Sequence, residues 1–320
     1  MSDLRILVTG SSGFIGRALV RQLSEESGWI VRSALRSGRR ESGADETVKS
    51  PGLSKGSDWR AALSGVDVVV HAAGRAHRMN DSAEDQLAAF RQVNTEGTLA
   101  LARQAAKAGV RRFIFLSSIK VNGEYTRPGQ PFRSADEPAP LDPYGISKLE
   151  AEEGLRDLAR ETGMEVTVIR PVLVYGPGVP ANFRKMMAWV ARGVPLPLGR
   201  VNNQRSLVSL GNLVDLIRVC LSHPAAANQT FLVSDGEDLS TPELLTRLGS
   251  VLGKPARLLP VPEKLLVGLM KLVGRGDMAN RLCGSLQVDM SDTCQRLGWK
   301  PPEKLDDALR KTANDFLTRP

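Results

Sequence analysis

The run from Leu4 to Gly16, Leu-Arg-Ile-Leu-Val-Thr-Gly-Ser-Ser-Gly-Phe-Ile-Gly, carries an apolar strand into a turn with glycine at every third position and then into a helix expected from Phe14 to Leu23. The glycine spacing alone is not specific, but a strand before it and a helix after it narrow the fold sharply. Gly10 is expected to take the backbone angles of the tight turn, Gly13 to let a diphosphate approach the main chain, and Gly16 to bring the helix close to the strand. Free amides at the helix start then face the anion. The expected cradle is Gly10, Ser12, Gly13, Phe14, Ile15 and Gly16.

The following segments alternate between apolar strands and helical patterns, which implies an α/β fold: a Rossmann-like, doubly wound parallel sheet. Trp29 to Leu35 reads as the second strand and ends in Arg36-Ser-Gly-Arg39-Arg40, with no acid between Glu26 and Glu41. An acid at this place would bond an adenosine ribose, whereas arginine suits a 2′-phosphate, so Arg36 and Arg39 favour NADP(H), with NAD(H) as the alternative. Val66 to His71 is a buried-strand run that delivers His71, Ala72, Ala73 and Gly74 to the sheet edge. The small residues leave room for a cofactor backbone, and His71 reads as a structural support of that wall. Arg75 to Asp85 is polar and is expected as a loop over the site, and Gln86 to Gly109 as one long helix containing Asn94.

A further strand, Phe113 to Ser118, is expected to end in Ser117 and Ser118 at the edge where such folds bind ligands. Tyr144 and Lys148 then open a helix expected to stop at Gly163, and their spacing of four puts them on one face. A tyrosine hydroxyl ordinarily titrates near 10, and a neighbouring ammonium favours its phenolate, so the pair is expected to exchange a proton near neutrality. After a strand expected from Val166 to Arg170, the chain is expected to leave the first domain along Pro171 to Gly178. Residues 1–175, with a return at 206–235, form the expected dinucleotide-binding domain, and 176–205 with 236–320 a smaller, mostly C-terminal substrate domain. Leu196 to Leu210 is expected as a hairpin returning to the sheet.

Composition limits the partners. The formal charge of +8 is spread among acids without a continuous basic face, which favours an anionic small molecule over nucleic acid. Cys220, Cys283 and Cys294 are odd in number and lack metal-ligand spacing, so no metal site is expected and the thiols read as reduced, as in a cytoplasmic protein. The N-terminus is expected to enter the first strand directly, so no signal peptide is expected. Leu265 to Val273 is too short to span a bilayer, so no stable membrane insertion is expected, and a packed helix is favoured over a membrane-surface anchor.

The glycine turn, Asn94, Ser118 and the Tyr144/Lys148 pair together resemble the extended short-chain dehydrogenase/reductase family, nucleotide-sugar branch, over nearly the whole chain. Ser118-Ile-Lys-Val-Asn-Gly123 is similar to the family's Ser-x-x-Val-Tyr-Gly, with Asn122 replacing the aromatic, and Arg170-Pro-Val-Leu-Val-Tyr-Gly-Pro-Gly178, Arg205 and Leu297-Gly-Trp-Lys-Pro301 match later landmarks. The resemblance implies a catalytic set of Ser118, Tyr144 and Lys148. It also implies cofactor contacts from the cradle, His71, Ala72, Ala73, Asn94, Lys148 and Pro171, and a UDP-sugar held by Ser118, Asn122, Arg205 and Arg281. A homodimer is compatible with it. The family's dehydratases place Asp-Glu after the catalytic hydroxyl residue, where this chain has Ile119-Lys120. Many relatives have Asn three residues after Arg170, where this chain has Leu173. With Arg36 in place of the strand-end acid, the resemblance points to NADPH-dependent reduction of a 4-keto group on a UDP-linked 6-deoxy-2-acetamido sugar for surface-polysaccharide synthesis. An NAD-dependent UDP-sugar 4-epimerase is the alternative, and a non-catalytic NADP-binding regulator a more distant one.

Overall fold

The described residues form the strands β1 (Leu4–Thr9), β2 (Trp29–Leu35), β3 (Glu46–Lys49), β4 (Val68–His71), β5 (Arg112–Leu116), β6 (Glu165–Pro171), β7 (Leu173–Tyr175), β8 (Arg205–Ser209), β9 (Thr230–Val233) and β10 (Asp238–Leu239). The structure is a computed structural model that describes residues 4–36, 43–75, 83–127, 129–272 and 282–318, with 274 and 276. Seven strands form one parallel sheet in the order β3-β2-β1-β4-β5-β6-β9. The strand order reverses between β1 and β4, the crevice where doubly wound sheets take their ligands.

Because both faces are covered, the strands are apolar without strict alternation. On one face Ile6, Val8, Val70 and Ile114 meet Leu19 and Leu23 of helix α1 (Phe14–Leu23) and, from a later helix, Leu213 and Ile217. On the other, Leu7, Val69, Phe113 and Phe115 meet α2 (Arg60–Leu63) and two longer helices through Leu63, Leu101, Ala105 and Leu155. Each such side chain contributes about 1.5–3 kcal/mol when fully buried.

The remaining helices labelled here are α3 (Ala83–Phe90), α4 (Thr98–Lys107), α5 (Pro143–Thr162), α6 (Ala181–Ala191), α7 (Leu210–Ser222), α8 (Thr241–Val251) and α9 (Glu263–Leu272). Helices Ser291–Leu297 and Leu305–Thr318 end the described chain. A third apolar cluster joins α6 and α8 through Phe183, Met187, Leu245 and Leu248, with Leu309 from the last helix.

Two expectations change. The long helix expected over 86–109 is instead α3 and α4 joined by a π-helical turn, Arg91–Gly97. The wider turn brings Asn94 and Thr95 to α5, where Thr95 Oγ1 donates to the Ser147 carbonyl at 2.9 Å. The expected hairpin over 196–210 does not form: only β8 is a strand, in a separate three-stranded sheet of order β10-β8-β7. There β8 pairs parallel with β7 and antiparallel with β10. Helix α9 packs on one side only: Leu266 is buried, while Leu265, Leu269 and Leu272 remain 55%, 52% and 84% exposed. Among the described residues no helix is long and apolar enough to cross a membrane. Of the loop expected over 75–85, residues 76–82 lie outside the described residues.

Candidate active site

The glycine turn closes onto the end of β4. Gly10 has φ +70, and a Cβ there would lie 2.6 Å from the Ala73 nitrogen; one on Gly16 would lie 2.1 Å from the Gly10 carbonyl oxygen. Neither position tolerates a side chain, so the turn depends on glycine at both. Helix α1 starts at Gly13 with no side-chain cap and no acid in its first turn. Its leading amides and positive end therefore remain available to an anion. Ser12 and Gly13 are exposed at the mouth, Phe14 and Ile15 are partly buried, and Ala72 and Ala73 form the partly open facing wall. These residues fit the diphosphate of a dinucleotide.

Farther along, a Cβ on Gly74 would lie 3.1 Å from Asn94 Oδ1 and 3.5 Å from Lys148 Nζ, so these three sequence-predicted elements converge. Asn94 is buried, accepts from the Arg75 amide at 2.8 Å, and donates to the Arg75 carbonyl and Ser147 Oγ. It fastens the β4 loop to α5. Pro171 is buried at the end of β6, and Arg36 is exposed just past β2; Arg39 lies outside the described residues.

His71 requires a correction. Its side chain is fully buried, with Nδ1 at 2.6 Å from Thr9 Oγ1 and Nε2 at 3.0 Å from Thr98 Oγ1. Burial, aided by the Lys148 ammonium, pushes its pKa down to about 3. It is a neutral strut under the wall, with both ring nitrogens engaged by protein.

Ser118, Tyr144 and Lys148 lie together past the end of β5. Ser118 caps the short 3₁₀ turn Ile119–Val121 that follows β5, accepting from the Lys120 amide. Asp142 caps α5 by accepting from the Gly145 amide at 2.7 Å, which sets Tyr144 in the first turn. Tyr144 is partly covered, its ring meets Phe90 edge-on at 5.8 Å, and the Ser118 side chain favours its ionised hydroxyl. Lys148 Nζ donates to the Leu116 carbonyl at 2.9 Å and lies 4.5 Å above the Phe115 ring.

The electrostatics differ from the expectation that Lys148 lowers the tyrosine. Burial, then the Asp142 carboxylate, push Tyr144 up to about 12, with Ser118 pulling the other way. Burial also pushes Lys148 down to about 8, partly offset by Glu152. The ammonium lies 6.0 Å from the tyrosine ring centroid, so desolvation of both groups outweighs their mutual effect.

Glu152 is the functional neighbour that sequence reading misses. Fully buried, it accepts from Ser117 Oγ at 2.5 Å and takes the Arg170 guanidinium in a two-pronged pair at 2.9 and 2.6 Å. Its place four residues after Lys148 on the same helical face was the available signal. Arg170 also donates to Asn122 Oδ1 at 2.9 Å, while Asn122 Nδ2 donates to the Arg133 carbonyl. Asn122 is therefore buried in a protein network, which corrects its expected role as a substrate contact. Arg205, at the start of β8, donates to the Gly284 carbonyl at 2.9 Å, and burial lowers its pKa. Arg281 lies outside the described residues, and Leu173 is 46% exposed on β7.

The profile of the NAD dependent epimerase/dehydratase family matches residues 6–234. The chain is 50% identical over 314 residues to a UDP-glucose 4-epimerase of Vibrio cholerae, covering 98% of this chain and 95% of that protein. It is 28% identical to an N-acetyl-alpha-D-glucosaminyl-diphospho-ditrans,octacis-undecaprenol 4-epimerase of Escherichia coli O157:H7, over 98% and 95% of the two chains. Among solved structures, a Thermotoga maritima UDP-glucose 4-epimerase with UDP-glucose superimposes with TM-score 0.77 at 25% identity, covering 98% of this chain and 99% of that one.

Proposed function

We propose, because this chain belongs to the NAD dependent epimerase/dehydratase family, enzymes of the extended short-chain dehydrogenase/reductase type, that it is a 4-epimerase of a UDP-linked hexose. The carrying observation is the 50% identity to the Vibrio cholerae UDP-glucose 4-epimerase along 98% of this chain. It reverses the order of the two readings drawn from the sequence, in which 4-keto reduction came first.

In this reading, residues 1–175 and 206–235 hold the dinucleotide, and 176–205 and 236–320 the sugar nucleotide. The glycine turn and the start of α1 hold the diphosphate, and Lys148 and Asn94 border the space beside Gly74. When bound, a nicotinamide dinucleotide supplies the hydride acceptor and donor at C4 of the sugar. Tyr144, as its phenolate, takes the C4 hydroxyl proton and returns it, while Ser118 holds the same oxygen. Lys148, close to neutrality at about 8, is a cation whose charge the site can modulate. Arg205 is the proposed diphosphate contact on the sugar-nucleotide side.

A second reading, NADPH-dependent 4-keto reduction, is favoured by Arg36 and by the absence of an acid between Glu26 and Glu41. Cofactor retention separates them, since an epimerase keeps its dinucleotide through both half-reactions. The test is mass spectrometry of ligands released from purified protein, followed by incubation with UDP-glucose and UDP-N-acetylglucosamine. Bound NAD and formation of the corresponding galacto-epimers are expected. No epimer, with NADPH oxidised by a UDP-4-keto sugar, overturns the epimerase in favour of the reductase.

A further inference from the structure

Lys120 occupies a position the proposed chemistry leaves unexplained. Its amide donates to Ser118 Oγ at 3.3 Å, its carbonyl oxygen lies where a Cβ on Gly145 would approach to 2.8 Å, and its ammonium pairs with Asp142 and, at 3.0 Å, with Glu124. One residue thus touches the serine, the first turn of α5 and the capping carboxylate two residues before Tyr144. The charge here is also opposite to the acid that the family's dehydratases carry at this place.

We propose that Lys120 is a positioning residue for proton transfer: its ammonium neutralises Asp142 beside Tyr144, and its main chain fixes the spacing of Ser118 and Tyr144. The inference rests on the reading that Tyr144 carries the proton. The groups around Tyr144 leave Asp142 as the acid that opposes its ionisation. From α5, Asp142 and Lys148 face it, with Glu152 behind Lys148; from the β5 loop come Ser118 and, through Asp142, Lys120 with Glu124. From α3 comes the Phe90 ring, with the Arg75 guanidinium 5.9 Å from its centroid, and the neutral His71 of β4 senses Lys148. Without Lys120 the Asp142 carboxylate is uncompensated, and Glu124 is released in the same direction. Tyr144 should then hold its proton to higher pH.

The chain has three tyrosines, so ring-labelled tyrosine resolves them by NMR: Tyr125 is exposed, and Tyr175, buried beside Asp235, is held far above the ordinary range. In the cofactor-bound protein, Lys120→Met should move the Tyr144 titration and the matching limb of the kcat/KM profile upward by about one pH unit, the low end of what an uncompensated neighbouring charge produces. Below that limb the rate falls about tenfold. KM for the sugar nucleotide stays unchanged, and Lys120→Arg restores both readings. In a D142N background, where asparagine retains the helix cap, Lys120→Met should shift them by less than half as much. An unmoved titration and profile in Lys120→Met, or an equal shift in the D142N background, overturns the proposal. Full activity of Tyr144→Phe would instead overturn the proton-carrier reading, which the NMR titration does not require. If Lys120→Met unfolds, the D142N arm decides: Asp142→Asn should lower the Tyr144 titration, and no change overturns the proposal.

Discussion

The ends of β5 and β2 lie on the same edge of the same sheet and are built in opposite ways. Past β5, Ser117, Lys148, Glu152 and Arg170 are each at most 4% exposed and are held by the bonds among Glu152, Ser117 and Arg170 and by the Leu116 carbonyl. Past β2, Leu35 is the last buried residue and Arg36 already stands in solvent. In the first region water is excluded, so every polar group depends on its protein partner and the effects of substitution should be large and coupled. In the second, water replaces any partner that is removed, and effects should be small and sensitive to salt.

The largest expected effect is at the reacting hydroxyl. Tyr144→Phe should lower kcat by about 10²–10⁴-fold, the usual contribution of a general acid-base group, while dinucleotide affinity measured by fluorescence titration changes little. A loss of less than tenfold would remove Tyr144 from the proton path. Next comes the support beneath it. Glu152→Leu leaves the Arg170 guanidinium buried and unpaired, and removal of one partner of such a pair costs about 3–5 kcal/mol. Urea unfolding should show that loss; a change below about 1 kcal/mol, the level of an exposed pair, would mean water reaches the network.

The strut under the cofactor wall predicts a pH dependence. Unfolded His71 takes up a proton below its ordinary value of 6.5, while the folded residue refuses it until about 3. Folding is thus favoured above 6.5 and loses stability as pH falls, by about 1.4 kcal/mol per unit, or about 2 kcal/mol between pH 6.5 and 5. Urea midpoints at those two pH values should converge in His71→Phe relative to the wild type. Equal pH dependence in both proteins would show that His71 is protonated when folded.

Which parts were legible in the sequence follows the same division. Gly10, Gly13, Gly16, Ser118, Tyr144 and Lys148 could be read because backbone geometry and helical spacing are local properties. The π turn at Arg91–Gly97 could not, since nothing in its composition distinguishes it from the helices it joins; its shape suits Asn94 and Thr95 bonding to α5. The burial-driven pKa of Tyr144 and the pairing of Glu152 with Arg170 depend on how much solvent the tertiary structure excludes. The β2 end was legible only in part: charge type was visible, but exposure, which sets how much that charge contributes, was not.

The smallest predicted effect lies there. An exposed guanidinium meeting an exposed phosphate contributes about 0.2–1 kcal/mol, which is at most about fivefold in affinity. Arg36→Ala should therefore raise the Kd for NADPH by no more than about fivefold at physiological salt and leave that for NADH within about twofold, as read by isothermal titration. Raising the salt should remove most of the difference, because a contact in water is screened over a Debye length of about 8–10 Å. A loss above about thirtyfold for NADPH alone would instead mean that the bound 2′-phosphate is desolvated against Arg36, at the strength of a charge-assisted bond of about 1.5–3 kcal/mol. The β2 end would then behave like the β5 end once occupied, and the balance between NAD-linked epimerisation and NADPH-linked reduction would move toward the reductase.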